Sequence, residues 1–314
     1  MEPINRTLSK MMNVPKFKER YEMLKQELLN EPQIRSFIAA NPELTEAEIE
    51  KSLPKLFEYK SQVRDCNECG SVEQCKNMMQ GYHPVLIKSR NYIDIKYEAC
   101  EMKIKSDAKK KHAERIKSLF MPRDVLEASF DKLDEAMHDS HDEDREAAIR
   151  RALDFVENYE NKRSANGLYL YGPFGVGKTY IMGAIANRLA EKGISSLIVY
   201  SPEFFREMKN SIGDQTLQEK LETVKKVPIL IFDDLGAETM TSWTRDEILG
   251  VILQYRMMEK LPTLYTSNYD YDELEEHLAY SQKNGIERVK AKRIMERIRH
   301  LTDSSFVGGK NRRN

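Results

Sequence analysis

The sequence predicts an α/β protein built on a parallel sheet, preceded by a second and smaller domain. From about residue 140 onward, short β-rich runs alternate with segments long enough for a helix, which is the pattern of parallel strands joined by crossover helices. A glycine-rich loop directly follows the first of these runs. All four cysteines, in contrast, lie before residue 101, so the two parts of the chain differ in their chemistry.

The composition is that of a folded, water-soluble chain. Its 314 residues include 50 basic and 51 acidic side chains, the net charge is −1, and 40% of the residues are hydrophobic. These values exclude a disordered chain and give no overall basicity of the kind that marks many nucleic-acid binders. No apolar run approaches the roughly 18 residues that a membrane helix needs, and the amino terminus lacks an apolar signal core. We therefore expect a cytoplasmic protein with no membrane partner.

The first domain is expected to be small and mainly helical. Apolar side chains recur at intervals of three and four within 16–65, and Thr45 with Glu48 three residues later predicts a capped helix start. Blocks of opposite charge follow the cysteines, which is typical of a solvated connector. The expected boundaries are 1–105 for the first domain, 106–135 for a charged linker and 136–314 for the α/β domain.

Five β-rich runs define the expected parallel sheet. They are 167–171 GLYLY, 195–200 SSLIVY, 227–232 VPILIF, 262–266 PTLYT and 304–307 SSFV. Ligands of open α/β sheets bind at the carboxyl ends of the strands. Polar residues that directly follow these runs are therefore the first candidates for a functional site.

A phosphate-binding loop follows the first run. The motif G-x-x-x-x-G-K-[ST] is matched by Gly172, Pro173, Phe174, Gly175, Val176, Gly177, Lys178 and Thr179. It stands between a strand and the helical segment 179–192, which is the context that the motif requires. Glycines permit the tight turn and the close approach of backbone N–H groups to phosphates. We expect Lys178 to reach the β- and γ-phosphates of ATP or GTP and the Thr179 hydroxyl to bind Mg²⁺.

Two further strands end in polar residues that suit nucleotide hydrolysis. Asp233 and Asp234 end the run 227–232, where Asp233 is expected to hold Mg²⁺ through water and Asp234 to orient the attacking water. Motor ATPases usually place Glu at the second position, so we expect slow turnover here. Asn268 ends the next run, from which its amide can reach the γ-phosphate.

The order of these motifs resembles a known family. The stretches GPFGVGKT, ILIFDDLG, YTSN and KRIMERIR are similar to those of AAA+ ATPases of the replication-initiator and helicase-loader group. With the cysteine-bearing front, essentially the whole chain resembles the primosomal helicase loaders of Gram-positive bacteria. The resemblance implies a five-stranded parallel sheet and the assembly of several subunits around nucleotide.

The resemblance also implies an arginine that acts on a neighbouring subunit. Arg293 and Arg297 are four residues apart and share one face of a helix. In this family an arginine of this stretch enters the neighbour's nucleotide site, where it neutralises γ-phosphate charge. We favour Arg297 and keep Arg293 as the alternative. Only fifteen residues follow Arg299, so we expect the helical lid of many AAA+ proteins to be absent.

Single-stranded DNA has two candidate contact regions. The segment after the second β-rich run contains Phe204, Phe205, Arg206 and Lys209, and single strands bind by stacking on aromatic rings in a positive groove. The alternative is that the phenylalanines belong to the core. The basic carboxyl-terminal tail 308–313 either contacts phosphates or is a solvated, flexible end.

The cysteines predict a structural zinc site. Cys66 and Cys69 form a C-x₂-C pair, and such pairs with further Cys or His ligands are typical of zinc. We favour a site completed by His83 and Cys100. A site that uses Cys75 in place of His83 stays open, because Cys75 also fits the apolar face of a helix.

These observations lead to one main hypothesis and two alternatives. The resemblance implies an ATP-dependent loader that binds the hexameric replicative helicase, delivers it onto single-stranded DNA, associates with itself and meets other primosomal proteins. The required cofactors are ATP, Mg²⁺ and Zn²⁺. The alternatives are an ATPase that assists DNA transposition and a zinc-containing adaptor that holds ATP structurally.

Overall fold

The structure is a computed structural model, and it describes residues 15–63, 69–137, 142–162, 166–213, 216–281 and 285–312. The chain forms two compact units, Met1–Lys109 and Lys110–Asn314, which we call the front unit and the sheet unit. Within the described ranges, no helix is both long and apolar enough to span a membrane.

The front unit combines short helices with one β-hairpin. Its elements are α1 (Pro15–Leu29), α2 (Pro32–Ala39), α3 (Glu46–Lys51), α4 (Leu53–Ser61), β1 (Tyr82–Ser89) and β2 (Tyr92–Ala99). Ile34, Leu56 and Ile93 are fully buried in a core that helices and hairpin share. The backbone N–H of Ile93 donates to the Ser52 hydroxyl at 2.7 Å, which ties β2 to the start of α4.

The sequence prediction for this unit was right about one helix start and missed the hairpin. The capping box is present, since the Thr45 side chain accepts from the Glu48 N–H and the Glu48 side chain accepts from the Thr45 N–H. The hairpin follows from the alternation in Tyr92–Ala99, where Ile93 faces the core. An interpretation restricted to helical spacing overlooks this two-residue period.

The sheet unit contains regular elements where a linker was expected. They are α5 (Glu101–Arg115), which runs across the boundary between the units, β3 (Ile116–Leu119), α6 (Arg123–Leu126) and α7 (Phe130–Met137). β3 pairs in parallel with β5 (Ser196–Tyr200). The interpretation of 106–135 as a connector was wrong, because the charged residues occupy the exposed faces of folded elements whose Val125 and Leu133 are buried.

The remaining elements of the sheet unit alternate as a doubly wound fold requires. They are α8 (Glu143–Lys162), β4 (Gly167–Tyr171), α9 (Lys178–Glu191), α10 (Ser201–Asn210), α11 (Leu217–Lys226), β6 (Ile229–Asp233), a π-helical turn (Thr244–Leu249), α12 (Gly250–Met258), β7 (Thr263–Ser267), α13 (Tyr271–Ala279), β8 (Tyr280–Ser281), β9 (Gly285–Ile286), α14 (Arg288–Leu301) and β10 (Thr302–Phe306). All five β-rich runs of the sequence form strands at or within two residues of their expected positions.

The main sheet is parallel and has six strands among the described residues. Its order is β10-β4-β7-β6-β5-β3. The expected number of five was too low because β3 adds an edge strand from the stretch interpreted as a linker. All five residues of β6 are buried, as expected for a strand covered by helices on both faces.

The carboxyl-terminal residues pack against the phosphate loop. After β10, the N–H of Val307 donates to the Tyr171 carbonyl at 2.8 Å, and the N–H of Arg312 donates to the Gly175 carbonyl at 2.9 Å. Of the two alternatives for the tail 308–313, a solvated, flexible end is therefore wrong for the described residues 308–312. Arg313 lies outside the described residues.

Candidate nucleotide-binding site

The phosphate loop has the backbone that its glycines were expected to permit. Gly172, Gly175 and Gly177 all have positive φ, at 144°, 77° and 93°. A side chain on Gly172 would collide with the Val307 carbonyl. The loop leaves β4 at its carboxyl end, and α9 starts at Lys178. Its backbone N–H groups and the start of a 14-residue helix together form an anion-binding cradle.

Lys178 is held at the centre of the site. Its ammonium donates to the carbonyls of Gly172 and Pro173, both at 2.8 Å, and to Oδ1 of Asn268 at 2.9 Å. The side chain is buried. Because the charge is desolvated and oriented, it can act strongly on a phosphate group brought to the loop.

Asp233 and Thr179 form a pair suited to Mg²⁺. The Thr179 hydroxyl donates to Oδ1 of Asp233 at 2.7 Å, and the Thr266 hydroxyl donates to the same oxygen at 2.6 Å. Burial raises the pKa of Asp233, while the two hydroxyl donors oppose that rise. A carboxylate and a hydroxyl are the oxygen ligands that Mg²⁺ prefers, and a bound cation would keep this carboxylate ionised.

Asp234 and Asn268 also lie together. Asn268 Nδ2 donates to Oδ1 of Asp234 at 2.8 Å, and the Asp234 N–H donates to the Thr266 hydroxyl at 2.8 Å. Asp234 has a φ of 56°, which is uncommon for a residue with a side chain. Asn268 thus joins Lys178 to Asp234 through its two amide atoms. The strand order explains this, since β6 and β7 are neighbours and their carboxyl ends meet.

These residues line a cavity of about 740 Å³. The polar residues of its lining include Lys178, Thr179, Asp233, Asp234 and Asn268. The apolar residues of its lining include Phe120, Met121, Pro122, Val125 and Leu133. Sequence reasoning missed these apolar residues because they lie in the stretch interpreted as a linker. The β-like run IKSLFM at 116–121 is the signal that could have revealed them.

Two further arginines line the cavity: Arg145, which the sequence analysis did not single out, and Arg312, which belongs to the basic tail 308–313 considered there as a phosphate contact. Arg145, in the first turn of α8, is 3% exposed, and its Nη1 donates to the carbonyl of Val176 in the phosphate loop. Arg312 reaches the cavity from the chain segment after β10. Neither residue belongs to a recognisable motif, so only the fold brings them to the site.

Arg293 and Arg297 lie on α14, and neither lines this cavity. Arg293 is exposed. Arg297 is half-buried and donates from Nη1 to the Gly250 carbonyl at 3.0 Å; burial, and then the charge of Arg293, lower its pKa. Both side chains line a separate groove together with Asp246 and Lys290. Within the sheet unit, both arginines therefore lie outside the cavity that Lys178 lines.

The aromatic pair proposed for DNA stacking belongs to the core. Phe204 is 0% exposed and Phe205 is 3% exposed, and both rings contact Phe232 of β6. The expectation that they stack on bases was therefore wrong, because their position on α10 faces the sheet. Arg206 and Lys209 are exposed on the same helix, where Arg206 pairs with Glu203.

The zinc candidates are only partly described. Cys66 lies outside the described residues. Cys69 and Cys75 are half-buried, Cys100 is buried, and all three are free thiols. The Cys100 N–H donates to the carbonyl of Gly81, which directly precedes β1, at 2.8 Å, and His83 lies within β1. Among the described residues, no three Cys, His, Asp or Glu side chains are grouped so that they could hold a metal ion. The structure therefore does not bring Cys69, His83 and Cys100 together, and zinc stays a prediction.

Comparisons with known proteins find a matching family model for each of the two parts of the chain. The family model described as the primosomal protein DnaI N-terminus matches residues 1–97, and the model described as an IstB-like ATP-binding protein matches residues 95–313. The replicative helicase loader DnaI of Bacillus subtilis is 46% identical over 314 residues, which is 100% of this chain and 99% of that protein.

Two solved structures each match about two thirds of this chain. A crystal structure of DnaI is 52% identical, with a TM-score of 0.56, and the match covers 65% of this chain and 100% of that one. A putative primosome component from Streptococcus pyogenes is 38% identical, with a TM-score of 0.52, over 65% of this chain and 98% of that one.

Proposed function

The chain belongs to the DnaI family of replicative helicase loaders, and we propose that it binds the hexameric replicative helicase and uses ATP to deliver it onto single-stranded DNA during primosome assembly. The observation that supports this most directly is the hydrogen-bonded chain Lys178–Asn268–Asp234 beside the Thr179–Asp233 pair. The match of residues 1–97 to the loader's amino-terminal family favours a loader over a transposition ATPase.

Each residue of the site has a role in this proposal. Lys178 and the loop N–H groups hold the phosphates, and Thr179 and Asp233 hold Mg²⁺, which supplies charge neutralisation when bound. Asp234 accepts a hydrogen bond from the attacking water and takes its proton. In this proposal the adenine ring of ATP contacts the apolar residues of the cavity lining.

Asn268 links hydrolysis to the state of the loop. The Asn268 carbonyl oxygen accepts a hydrogen bond from Lys178, and its amide nitrogen donates one to Asp234. A γ-phosphate that attracts Lys178 would weaken the first bond and thereby change the hydrogen bond that Asp234 accepts from Asn268. Hydrolysis is slow in this proposal, because the Asp234 carboxylate is one methylene shorter than the Glu of motor ATPases and is already bonded to Asn268. Slow hydrolysis suits a protein that acts once for each helicase delivered.

The arginines of α14 act in trans in this proposal. Self-association places Arg297, with Arg293 as the alternative, at the nucleotide of a neighbouring subunit. Their position outside their own cavity supports such a role. The Arg297→Ala protein should bind ATP normally and lose the part of its ATPase activity that rises with protein concentration. A concentration-independent wild-type ATPase would argue against a trans arginine.

Exposed cations on α10 are the proposed DNA contacts. Arg206 and Lys209 replace the buried phenylalanines as candidates and would bind phosphates. The double variant Arg206→Ala/Lys209→Ala should weaken single-strand affinity and reduce the slope of log affinity against log salt by roughly 1.4, at about 0.7 for each phosphate contact. An unchanged salt slope would exclude this helix.

Zinc in the front unit is part of the proposal on the grounds of residue chemistry. The C-x₂-C pair Cys66–Cys69 with Cys100 supplies three thiols, and His83 or Cys75 the fourth ligand. A site closed by four protein ligands has a structural role. Metal analysis of the purified His83→Ala and Cys75→Ala proteins identifies the fourth ligand as the one whose loss removes zinc; a wild-type protein without zinc contradicts the site.

The loader proposal is tested with the host's replicative helicase. The two proteins are mixed with and without ATP, the mass of the complex is measured, and helicase activity is then followed on a closed single-stranded DNA circle. Wild-type protein should form a complex and make unwinding dependent on ATP and loader. Lys178→Ala should retain the complex and lose delivery.

Lys192→Ala is the matched control. Lys192 directly follows α9 and pairs with Glu160 at the surface, so it should behave as wild type. Absence of any complex, under either nucleotide condition, would refute the loader proposal.

A further inference from the structure

Three buried arginines of the sheet unit differ in how their charge is satisfied. Arg245 pairs with Asp246 and Glu287 at 2.7 and 2.8 Å. Arg256 has no carboxylate at contact distance among the described residues, but its three nitrogens donate to Thr263 and to five backbone carbonyls. Arg145 is also buried, with 3% of its surface exposed, but within the described residues it has neither a paired carboxylate nor a full set of hydrogen-bond acceptors.

The partners of Arg145 do not balance its charge. Its Nη1 donates to the Val176 carbonyl, and its Nε is buried without a hydrogen-bond partner. Within the described residues, no carboxylate forms an ion pair with it; Asp142 attracts it from farther away, and the Asp142 side chain accepts from the Arg145 backbone N–H at 3.4 Å. A buried cation with an unsatisfied N–H is costly to the fold unless another group meets it.

The surroundings of Arg145 point to an anion. Its guanidinium lies against the phosphate loop, since a Cβ on Gly177 would be only 2.9 Å from Nη1. It lines the cavity that contains Lys178, and Arg312 lines the same cavity. Burial, and then the charge of Arg312, lower the pKa of Arg145, so two positive charges stand close together.

We propose that Arg145 is a phosphate-binding residue of the nucleotide site, whose guanidinium contacts the phosphate chain of bound ATP or ADP and is neutralised by it. This inference rests on the proposed ATPase function and adds a residue outside the phosphate-loop motif. The Val176 carbonyl orients the guanidinium at the lining of the cavity, where its positive charge can meet a phosphate group. The bound nucleotide would thereby join α8 to the loop.

The test separates phosphate binding from a purely structural role. In the full chain, Arg145→Met keeps much of the side-chain volume and removes the charge. Affinities for ATP, ADP and adenosine are measured by calorimetry. Unfolding of the nucleotide-free protein is followed by the fluorescence of Trp243, the one tryptophan of the sequence, which lies in the sheet unit.

The expected result is a selective loss of phosphate recognition. Affinities for ATP and ADP should fall about ten- to a hundredfold, in keeping with the loss of a charge-assisted contact, whereas adenosine binding is unchanged. The nucleotide-free protein should unfold at the same or a higher urea concentration, because an uncompensated buried charge is removed. Arg145→Lys, which retains the charge, should recover part of the ATP affinity.

Other results overturn the proposal. Arg145 is only structural if Arg145→Met unfolds at lower urea while ATP affinity stays unchanged, or if all three ligands weaken equally. Arg188→Met is the matched control, because Arg188 is a half-buried arginine of α9 that pairs with Glu191. A wild-type protein that binds neither ATP nor ADP would refute the proposed ATPase function itself, which is a separate outcome.

Discussion

In the sheet unit the polar side chains of the nucleotide site stand at the ends of neighbouring strands, whereas in the front unit the candidate metal ligands lie on unlike segments. Asp233 is the last residue of β6 and Asn268 directly follows β7, and the pairing of these strands brings both residues to one end of the sheet. Cys75 ends a 3₁₀ turn, His83 lies within β1, and Cys100 follows β2.

The difference concerns what a sequence motif specifies. A phosphate loop specifies backbone as well as side chains, because its glycines, strand and helix must all be present for the motif to work. A C-x₂-C pair specifies only side-chain chemistry, and the irregular chain around it decides whether further ligands arrive. Sites of the first kind are therefore predictable in detail, and sites of the second kind are predictable only as a type.

The largest expected effect tests the site that strand pairing assembles. Asp234→Asn keeps the hydrogen bond with Asn268 within reach but removes the base, so ATP hydrolysis should fall by about 10²- to 10⁴-fold with ATP affinity retained. Phosphate release under single-turnover conditions measures this.

Asp272→Asn is the control for this substitution. Asp272 is an exposed carboxylate of α13 paired with Arg299, and its loss should leave hydrolysis intact. If Asp234→Asn hydrolyses ATP at the wild-type rate, Asp234 is not the catalytic base. The position of a carboxylate at a strand end would then not be sufficient to predict its role.

The second prediction tests how small the core of the front unit is. Among the described residues, Leu56 is fully buried in a cluster of eight apolar side chains, whereas two clusters of 24 buried side chains each support the sheet unit. Leu56→Ala should destabilise the front unit by about 2–5 kcal/mol and accelerate hydrogen exchange in β1 and β2. Leu24→Ala, at a site 51% exposed, should change exchange there by no more than about 0.5 kcal/mol.

Exchange in β1 and β2 that is unaffected by Leu56→Ala would show that this cluster does not support the hairpin. The front unit would then depend on other contacts, and the zinc proposal would become the leading explanation of its stability.

Particular residues show where prediction from sequence ended. The strands next to Lys178, Asp233 and Asn268 were predictable because each is a hydrophobic run followed by polar residues, and ligands of open α/β sheets bind at the carboxyl ends of such strands. Phe204 was misassigned because an aromatic residue beside basic residues suits a core as well as a DNA surface, and only the packing on Phe232 decides between them. Arg145 was not predictable, since nothing local in the sequence shows that α8 returns to the phosphate loop.

The third prediction concerns pH and the loop that follows Asp234. Glu238 is buried, its Oε2 accepts from the Gly236 N–H at 2.9 Å, and its Oε1 has no hydrogen-bond partner in the part of the chain that the structure describes. Burial raises the pKa of Glu238 to about 7. Because the folded-state pKa lies above the unfolded value, the protonated carboxyl stabilises the fold at low pH, and this contribution is lost as the pH rises from about 4.5 to about 7.

Glu238→Gln removes the ionisable group and keeps an acceptor for Gly236. Compared with wild type, it should be stabilised at pH 8 by up to about 3 kcal/mol and show little difference at pH 5. Urea unfolding followed by Trp243 fluorescence measures this in the sheet unit. Equal stability of both proteins at pH 8 would mean that Glu238 ionises without cost, and that this part of the sheet unit is more open to water than its burial implies.

The smallest expected effect belongs to the front unit, where a local sequence rule was sufficient. The Thr45 and Glu48 side chains each accept a backbone N–H at the start of α3. Thr45→Ala removes the hydroxyl that accepts from the Glu48 N–H at 3.4 Å and leaves that N–H only the Thr45 carbonyl at 3.1 Å. We expect a loss of about 1 kcal/mol, seen as roughly fivefold faster hydrogen exchange in residues 46–51. Thr45→Ser keeps the hydroxyl and should exchange as wild type. If Thr45→Ala has no effect, packing of α3 against β2 determines the helix start, and even the local rules of the front unit depend on its tertiary contacts.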